Sequence, residues 1–281
     1  MLDRSAVLLE GKVAIVTGGG GGIGRSISET FAAVGATVVV ADHDEQRATD
    51  TVAAIDASGG HAVASNVDVR DGAQVEAMTR AAIDGYGRID VLVNNVGDFL
   101  RIGGPFVEST EEEWEALYRT NLHHVFLCTR SVAPHMIERG EGGSIVNVSS
   151  IEAFRGVPGC AVYGTFKHAI TGFTRTLAVE LGPHGIRVNA IAPETTDTLQ
   201  VRTAAMSRGR EHLVPYWTPL GRFGVPDDTA GCALFLASDL SAWTTGSTVH
   251  VDGGALAAAG FYRVPESQRW SNTPSLATAT S

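Results

Sequence analysis

Tyr163 and Lys167 stand four positions apart in the stretch GCAVYGTFKHAI, residues 159–170, of a chain that otherwise all but avoids lysine. Of its 21 basic side chains, two are lysine, Lys12 and Lys167, and the rest are arginine. If this stretch is helical, a spacing of four puts both side chains on one face, one turn apart. A free tyrosine hydroxyl ionises near about pH 10, and a fixed cation beside it favours the phenolate, drawing it towards the range of a general base. A compact ammonium suits that task better than the broad guanidinium fork. His168, the next residue, falls on another face and is not expected to take part in the chemistry.

A second cluster with chemical potential is TGGGGGIGRSISETFA, from Thr17 to Ala32, which follows the apolar run KVAIVT. Consecutive glycines Gly18–Gly22 are a costly way to build an ordinary turn, because each loses more backbone entropy on folding than any other residue. Between a strand and a helix the cost has a use: free N–H groups and the positive end of the helix approach a pyrophosphate with no side chains in the way. Gly18, Gly21, Gly22 and Ile23 are therefore expected at a dinucleotide. Asp42, 24 residues after Gly18 at the end of the next apolar run, is placed to accept hydrogen bonds from an adenosine ribose and to repel a 2′-phosphate, which favours NAD over NADP. Asp68 and Val69 end a third run; Asn94 and Gly97, in NNVG, end a fourth.

These residues need a scaffold that brings strand ends together. Seven short β-branched runs, at 12–17, 36–42, 61–69, 89–95, 143–150, 186–193 and 247–254, alternate with stretches of helical period such as Ile23, Ile27, Phe31 and Val34. Continuous apolar strands alternating with helices predict an α/β fold: one Rossmann-type, doubly wound, mostly parallel seven-stranded sheet with helices on both faces. The expected organisation is a dinucleotide-binding and catalytic unit over residues 8–256, including a substrate-covering segment at 195–225, and a C-terminal tail at 257–281. No repeat is evident.

Composition limits the partners. The chain has 281 residues, 44% of them hydrophobic and 19% charged, enough for one large core. A net charge of −10 disfavours nucleic acid and anionic membrane surfaces. No run reaches the roughly 18 apolar residues of a membrane span, and the start lacks a signal-type apolar segment, so a cytoplasmic protein acting on a small molecule is expected. The three cysteines, Cys128, Cys160 and Cys232, are read as reduced thiols, and no metal site is expected.

Taken together, the motifs resemble the short-chain dehydrogenase/reductase family in its single-domain form of about 250 residues, over roughly residues 8–256. Thr17, Gly18, Gly22 and Gly24 match the family's glycine turn; Asn94, Asn95 and Gly97 match its Asn-Asn-Ala-Gly motif with Val96 in place of alanine; Asn121, Ser150, Tyr163 and Lys167 match its four active-site positions. The resemblance implies that Ser150 hydrogen-bonds the substrate oxygen, Tyr163 is the general acid/base, Lys167 also holds the nicotinamide ribose, and Asn121 holds a water linking Lys167 to solvent. It implies a homotetramer as well. One departure is Glu194, where the family has glycine after Pro193; Thr198, expected near the nicotinamide, keeps its place. Taken singly, Ser150 could be a turn cap and Asn121 a satisfied helix kink.

The function this implies is NAD-dependent interconversion of a secondary alcohol and a ketone. A 3-oxoacyl-thioester reductase of the same family and a catalytically silent nucleotide-sensing protein are the alternatives. Leu199, Val201, Met206, Leu213, Val214, Tyr216 and Trp217 make the covering segment apolar, which points to a bulky or cyclic, terpenoid-like or steroid-like substrate, with oligomer packing as the competing use. Asp98, Glu152 and Glu194 follow strand ends near the expected pocket; they either recognise substrate hydroxyls or an amine, or face water.

Overall fold

The computed structural model describes residues 3–264 and 267–272. Seven strands form one sheet: β1 Val13–Thr17, β2 Thr37–Asp42, β3 His61–Asn66, β4 Val91–Asn94, β5 Gly143–Val148, β6 Ile186–Pro193 and β7 Thr248–Val251. Their order is β3-β2-β1-β4-β5-β6-β7, and every neighbouring pair is parallel. The sequence runs match these strands, trimmed by a few residues where the chain leaves the ladder.

The connecting helices are α1 Gly22–Ala33, α2 Glu45–Ala57, α3 Gly72–Tyr86, α4 Glu111–Tyr118, α5 His124–Arg139, α6 Ala161–Leu181, α7 Thr203–Ser207, α8 Val214–Trp217, α9 Pro226–Ala237 and α10 Ala255–Ala258. Alternation along β1 shows why the sheet needs them on both sides. Ala14 and Val16 pack in one core with Ile27 and Phe31 of α1 and Leu236 of α9, whereas Val13 and Ile15 pack in another with Met78 of α3 and Val132 and Met136 of α5. Both faces of a central strand are thus apolar, as in a parallel sheet covered twice.

Burial is lower at β3 than its apolar run predicts, and Val63 is exposed. The reason is its position at the sheet edge, paired only with β2. The expected tail, 257–281, begins within α10 and carries a small antiparallel hairpin of β8 Tyr262–Arg263 and β9 Trp270–Ser271; its residues 265–266 and 273–281 lie outside the described ones. Among the described residues no helix is long and apolar enough to cross a membrane.

The order reverses at β1, with β2 on one side and β4 on the other. Chains leaving the carboxyl ends of such strands diverge to opposite faces and leave a crevice between them. Side chains close its floor: Thr17 Oγ1 donates to the Val93 carbonyl at 3.1 Å, and Asn95 Nδ2 donates to the Thr17 carbonyl at 2.9 Å.

Candidate active site

The crevice is a cleft of about 780 Å³. The glycine turn forms one end. Gly18 and Gly22 take positive φ, +63° and +51°, a region that glycine enters without strain. A Cβ on Gly24 would stand 2.1 Å from the Gly18 carbonyl oxygen, so turn and helix meet backbone to backbone. Gly21 precedes α1 without a side-chain cap, which leaves first-turn N–H groups for an anion.

Asp42, buried at the end of β2, does more than the sequence suggests. Its Oδ2 accepts the Gly20 N–H at 3.0 Å and its Oδ1 accepts the Asp44 N–H at 3.0 Å, so the carboxylate straps the turn to the next strand while still lining the cleft. Arg47 also lines this end, but its guanidinium meets Asp44 at 3.1 Å. Asp68 and Val69 line the same wall; the Asp68 carboxylate is gripped by Arg70, which holds it below the usual carboxylate range. The glycine cradle, the uncapped helix start and the row of strand ends fit a dinucleotide.

Gly18, Gly21, Gly22, Ile23, Gly97 and Thr198 all line the cleft. Asn94 does not, contrary to expectation. It is fully buried, and its Nδ2 donates to Thr129 Oγ1 at 3.2 Å and Asn147 Oδ1 at 2.9 Å. Asn94 is still within the strand, where alternation turns it into the protein, whereas Asn95, just past the end, lines the cleft. The Thr198 methyl lies over the turn, 3.2 Å from where a Gly22 Cβ would be, and its hydroxyl accepts the Val201 N–H at 3.0 Å.

The other end holds the reacting groups. Because α6 starts at Ala161, Tyr163 and Lys167 stand one turn apart, with Lys167 Nζ 5.7 Å from the tyrosine ring centre. Nζ donates to the Val148 carbonyl at 3.2 Å. A Cβ on Gly97 would approach it to 2.6 Å, so this glycine makes room for the ammonium. Ser150 caps a one-turn helix, Ile151–Ala153, by accepting the Glu152 N–H at 3.2 Å, and its hydroxyl also reaches the Tyr163 phenol. Cap and active-site position coincide in one residue.

Asn121 lies in a π-helical turn, Arg119–His123, between α4 and α5. It is fully buried and does not line the cleft: Nδ2 donates to the carbonyls of Asp98 at 2.7 Å and Leu117 at 3.0 Å, and Oδ1 accepts the Asp98 N–H at 3.1 Å. With its amide so engaged, the side chain clamps the loop after β4. His168 faces away, with Nδ1 2.8 Å from the Ala153 carbonyl.

Electrostatics corrects the sequence reading of the tyrosine. Burial, then the Glu152 charge, pushes the Tyr163 phenol above its ordinary value, and the Ser150 hydrogen bond only partly opposes them. Burial lowers Lys167 to about 8 against the pull of Glu152 and Asp98. Taking the phenolate out of water outweighs the neighbouring ammonium.

The covering segment is divided. Leu199, Val201 and Met206 line the cleft, whereas Val214 is buried and Trp217 packs edge-on against Phe223 with ring centres 6.0 Å apart. Leu213, Tyr216 and Trp217 are absent from the wall. Phe99, Leu100 and Ile151 take their place; each lies within three residues of a motif at a strand end, and that nearness was the signal available in the sequence. Glu194 faces neither water nor open cleft alone: Arg155 meets its carboxylate at 2.6 and 2.8 Å, tying the loop after β5 to that after β6. Cys128, Cys160 and Cys232 are free thiols, and Cys160 belongs to the cleft wall.

Residues 18–255 match the model of a family described as enoyl-(acyl carrier protein) reductase. The 3-oxoacyl-[acyl-carrier-protein] reductase FabG of Thermotoga maritima is 39% identical over 88% of this chain and 98% of its own. Galactitol 2-dehydrogenase of Agrobacterium fabrum is also 39% identical, over 88% and 98%. A solved 7α-hydroxysteroid dehydrogenase, complexed with NADH and 7-oxo glycochenodeoxycholic acid, is similar with a TM-score of 0.85 and 34% identity, over 90% of this chain and 98% of that one.

Proposed function

Because the chain belongs to the short-chain dehydrogenase/reductase family, we propose that it is an NAD-dependent oxidoreductase interconverting a secondary alcohol and a ketone on a bulky apolar or cyclic substrate. The observation that carries this reading is the convergence of Ser150, Tyr163 and Lys167 on one end of a cleft whose other end is the glycine turn and Asp42. Residues 8–256 form the working unit in this reading, and 195–225 covers the substrate.

The glycine turn, Asp42, Asp68, Val69, Gly97, Thr198 and Lys167 would hold the dinucleotide. When bound, its nicotinamide supplies the hydride donor or acceptor. Ser150 hydrogen-bonds the substrate oxygen. In reduction Tyr163, kept protonated by its raised pKa, gives its proton to the carbonyl oxygen, and the Lys167 charge stabilises the phenolate left behind. Oxidation uses the same groups in reverse. Lys167 is charged below about pH 8 and neutral above it. The kcat/KM for ketone reduction is therefore expected to stay level below that pH and to fall above it. A profile flat from neutrality to about pH 10 would remove the lysine charge from the mechanism.

Phe99, Leu100, Ile151, Val201 and Met206 support a substrate with sizeable hydrocarbon area, since each stabilises by roughly 25 cal/mol per Å² of apolar surface it buries. The likeness to a steroid dehydrogenase agrees with that size. NAD is favoured because the buried Asp42 would meet a 2′-phosphate with like charge while Arg47 is engaged by Asp44. Asp42→Ala, and Asp42→Asn, which keeps an acceptor for Gly20, should narrow the NAD preference by about tenfold or more. The assay is NADH formation over a panel of cyclic, bicyclic and small aliphatic secondary alcohols with either nucleotide. Equal wild-type efficiency with NADP would overturn the NAD assignment, and a preference for small alcohols would overturn the bulky-substrate reading.

A 3-oxoacyl-thioester reductase, the activity named for the Thermotoga relative, is the competing reading. The net charge of −10 disfavours docking of an acidic carrier, and an NADPH-linked thioester assay separates the two. A cytoplasmic homotetramer completes the proposal. Val179, exposed on the long α6, offers apolar surface for packing between copies, and sedimentation would give the stoichiometry.

A further inference from the structure

Glu152 sits on the one-turn helix that Ser150 caps, two residues from that hydroxyl, and its side chain lines the cleft beside Tyr163. Ser150, Glu152, Tyr163 and Lys167 line the same cleft, and the Glu152 charge acts to raise the pKa of both Tyr163 and Lys167. Among the described residues, neither Glu152 oxygen has a hydrogen bond or an ion-pair partner. Arg155, the nearby cation, meets Glu194 at 2.6 and 2.8 Å. The other carboxylates at this end are occupied: Asp98 Oδ1 accepts the Leu100 N–H at 2.6 Å, and Glu194 Oε1 accepts the Thr195 N–H at 2.9 Å. Burial raises the Glu152 carboxyl above its usual range, the mark of an acceptor stripped of part of its water without receiving a donor in exchange. Donor side chains do line the same cleft, among them Ser150, Tyr163 and Lys167, but none of them makes a hydrogen bond or ion pair with the Glu152 carboxylate.

We propose that Glu152 is a specificity-determining residue that accepts a hydrogen bond from a second donor group of the substrate, a hydroxyl or a protonated amine close to the carbinol carbon. The inference rests on the dehydrogenase reading above and names its substrate class: cyclic or bulky diols and amino alcohols, together with the matching hydroxy and amino ketones. The same carboxylate disfavours substrates with an anionic group at that place. Galactitol 2-dehydrogenase, by its name, also acts on a compound with more than one hydroxyl.

The test compares NAD-linked kcat/KM for matched ring compounds: cyclohexanol, the vicinal cyclohexanediols, aminocyclohexanol and hydroxycyclohexanecarboxylate, with bicyclic counterparts. In the wild type the diol or the amino alcohol should exceed the mono-alcohol by about 10- to 100-fold, the ratio expected of one hydrogen bond to a charged group. The hydroxy acid should be the poorest. Glu152→Ala should bring the diol-to-mono-alcohol ratio close to one and raise the hydroxy acid relative to the rest. Glu152→Gln, nearly isosteric, serves where the alanine variant folds poorly; it should retain part of the diol preference and lose that for the amine. A diol ratio unchanged in both variants, or mono-alcohols equal to diols in the wild type, would overturn this inference and leave the dehydrogenase reading standing. If the protein binds NADH yet turns over no secondary alcohol or ketone, the dehydrogenase reading falls and this inference with it.

Discussion

Tyr163→Phe is expected to lower kcat by about 10²- to 10⁴-fold, the range contributed by a positioned proton donor, while leaving NADH affinity near the wild-type value. The substitution removes one oxygen from a helix whose apolar face is otherwise unaltered, so unfolding temperature should barely move. Lys167→Arg is expected to lose rate and cofactor affinity together. The reason is space: Nζ lies where a Cβ on Gly97 would approach to 2.6 Å, and a planar fork is broader than an ammonium. Stopped-flow reduction rates and NADH fluorescence titration separate the two effects. Retention of most activity by Tyr163→Phe would mean that another group carries the proton, and a wild type with no turnover at all would favour a silent nucleotide-binding protein.

The glycine turn yields the second large effect, and two of its glycines separate folding from binding. Gly24→Ala would place a Cβ 2.1 Å from the Gly18 carbonyl oxygen and 2.6 Å from Asn95 Nδ2, so backbone has to shift. Overpacking of that kind typically costs about 1–3 kcal/mol, and NADH binding should weaken by about tenfold or more because the turn itself moves. Gly21→Ala differs, since its Cβ would find only the Arg47 Cδ, at 4.0 Å. That variant should melt like the wild type, yet bind NADH more weakly, because the new methyl enters the cleft that Gly21 lines. Thermal melts paired with NADH titrations read both outcomes. Unchanged NADH affinity in Gly21→Ala would show that the turn is not the nucleotide seat.

Much of this arrangement was legible without coordinates because it is written in local spacing. Alternating runs and helical periods report which faces must be covered, and the seven strands lie where those periods place them. A helix forces Tyr163 and Lys167 onto one face whatever surrounds it, and glycines between a strand and a helix leave a backbone open to an anion. Asp42 at its strand end was likewise readable, although its bond to the Gly20 N–H spans 22 residues and was not.

What the tertiary structure alone decided are the consequences of residues meeting across the sheet. Asn94 and Asn95 are chemically identical neighbours, and only the point at which β4 ends determines that the first is buried in the protein while the second faces the cleft. Glu194 reads as solvated or substrate-facing until Arg155, 39 residues away, is found against it. Tyr216 and Trp217 read as pocket aromatics, but the fold of their segment directs the wall to Leu199, Val201 and Met206 instead. The direction of the Tyr163 shift follows the same rule: spacing supplied the lysine, whereas burial and the Glu152 charge, which depend on the enclosing loops, set the outcome. Periodicity and chain spacing are properties of a segment. Desolvation and ion pairing belong to the environment, and that environment exists only once β1, β4, β5 and β6 lie side by side and their trailing loops converge.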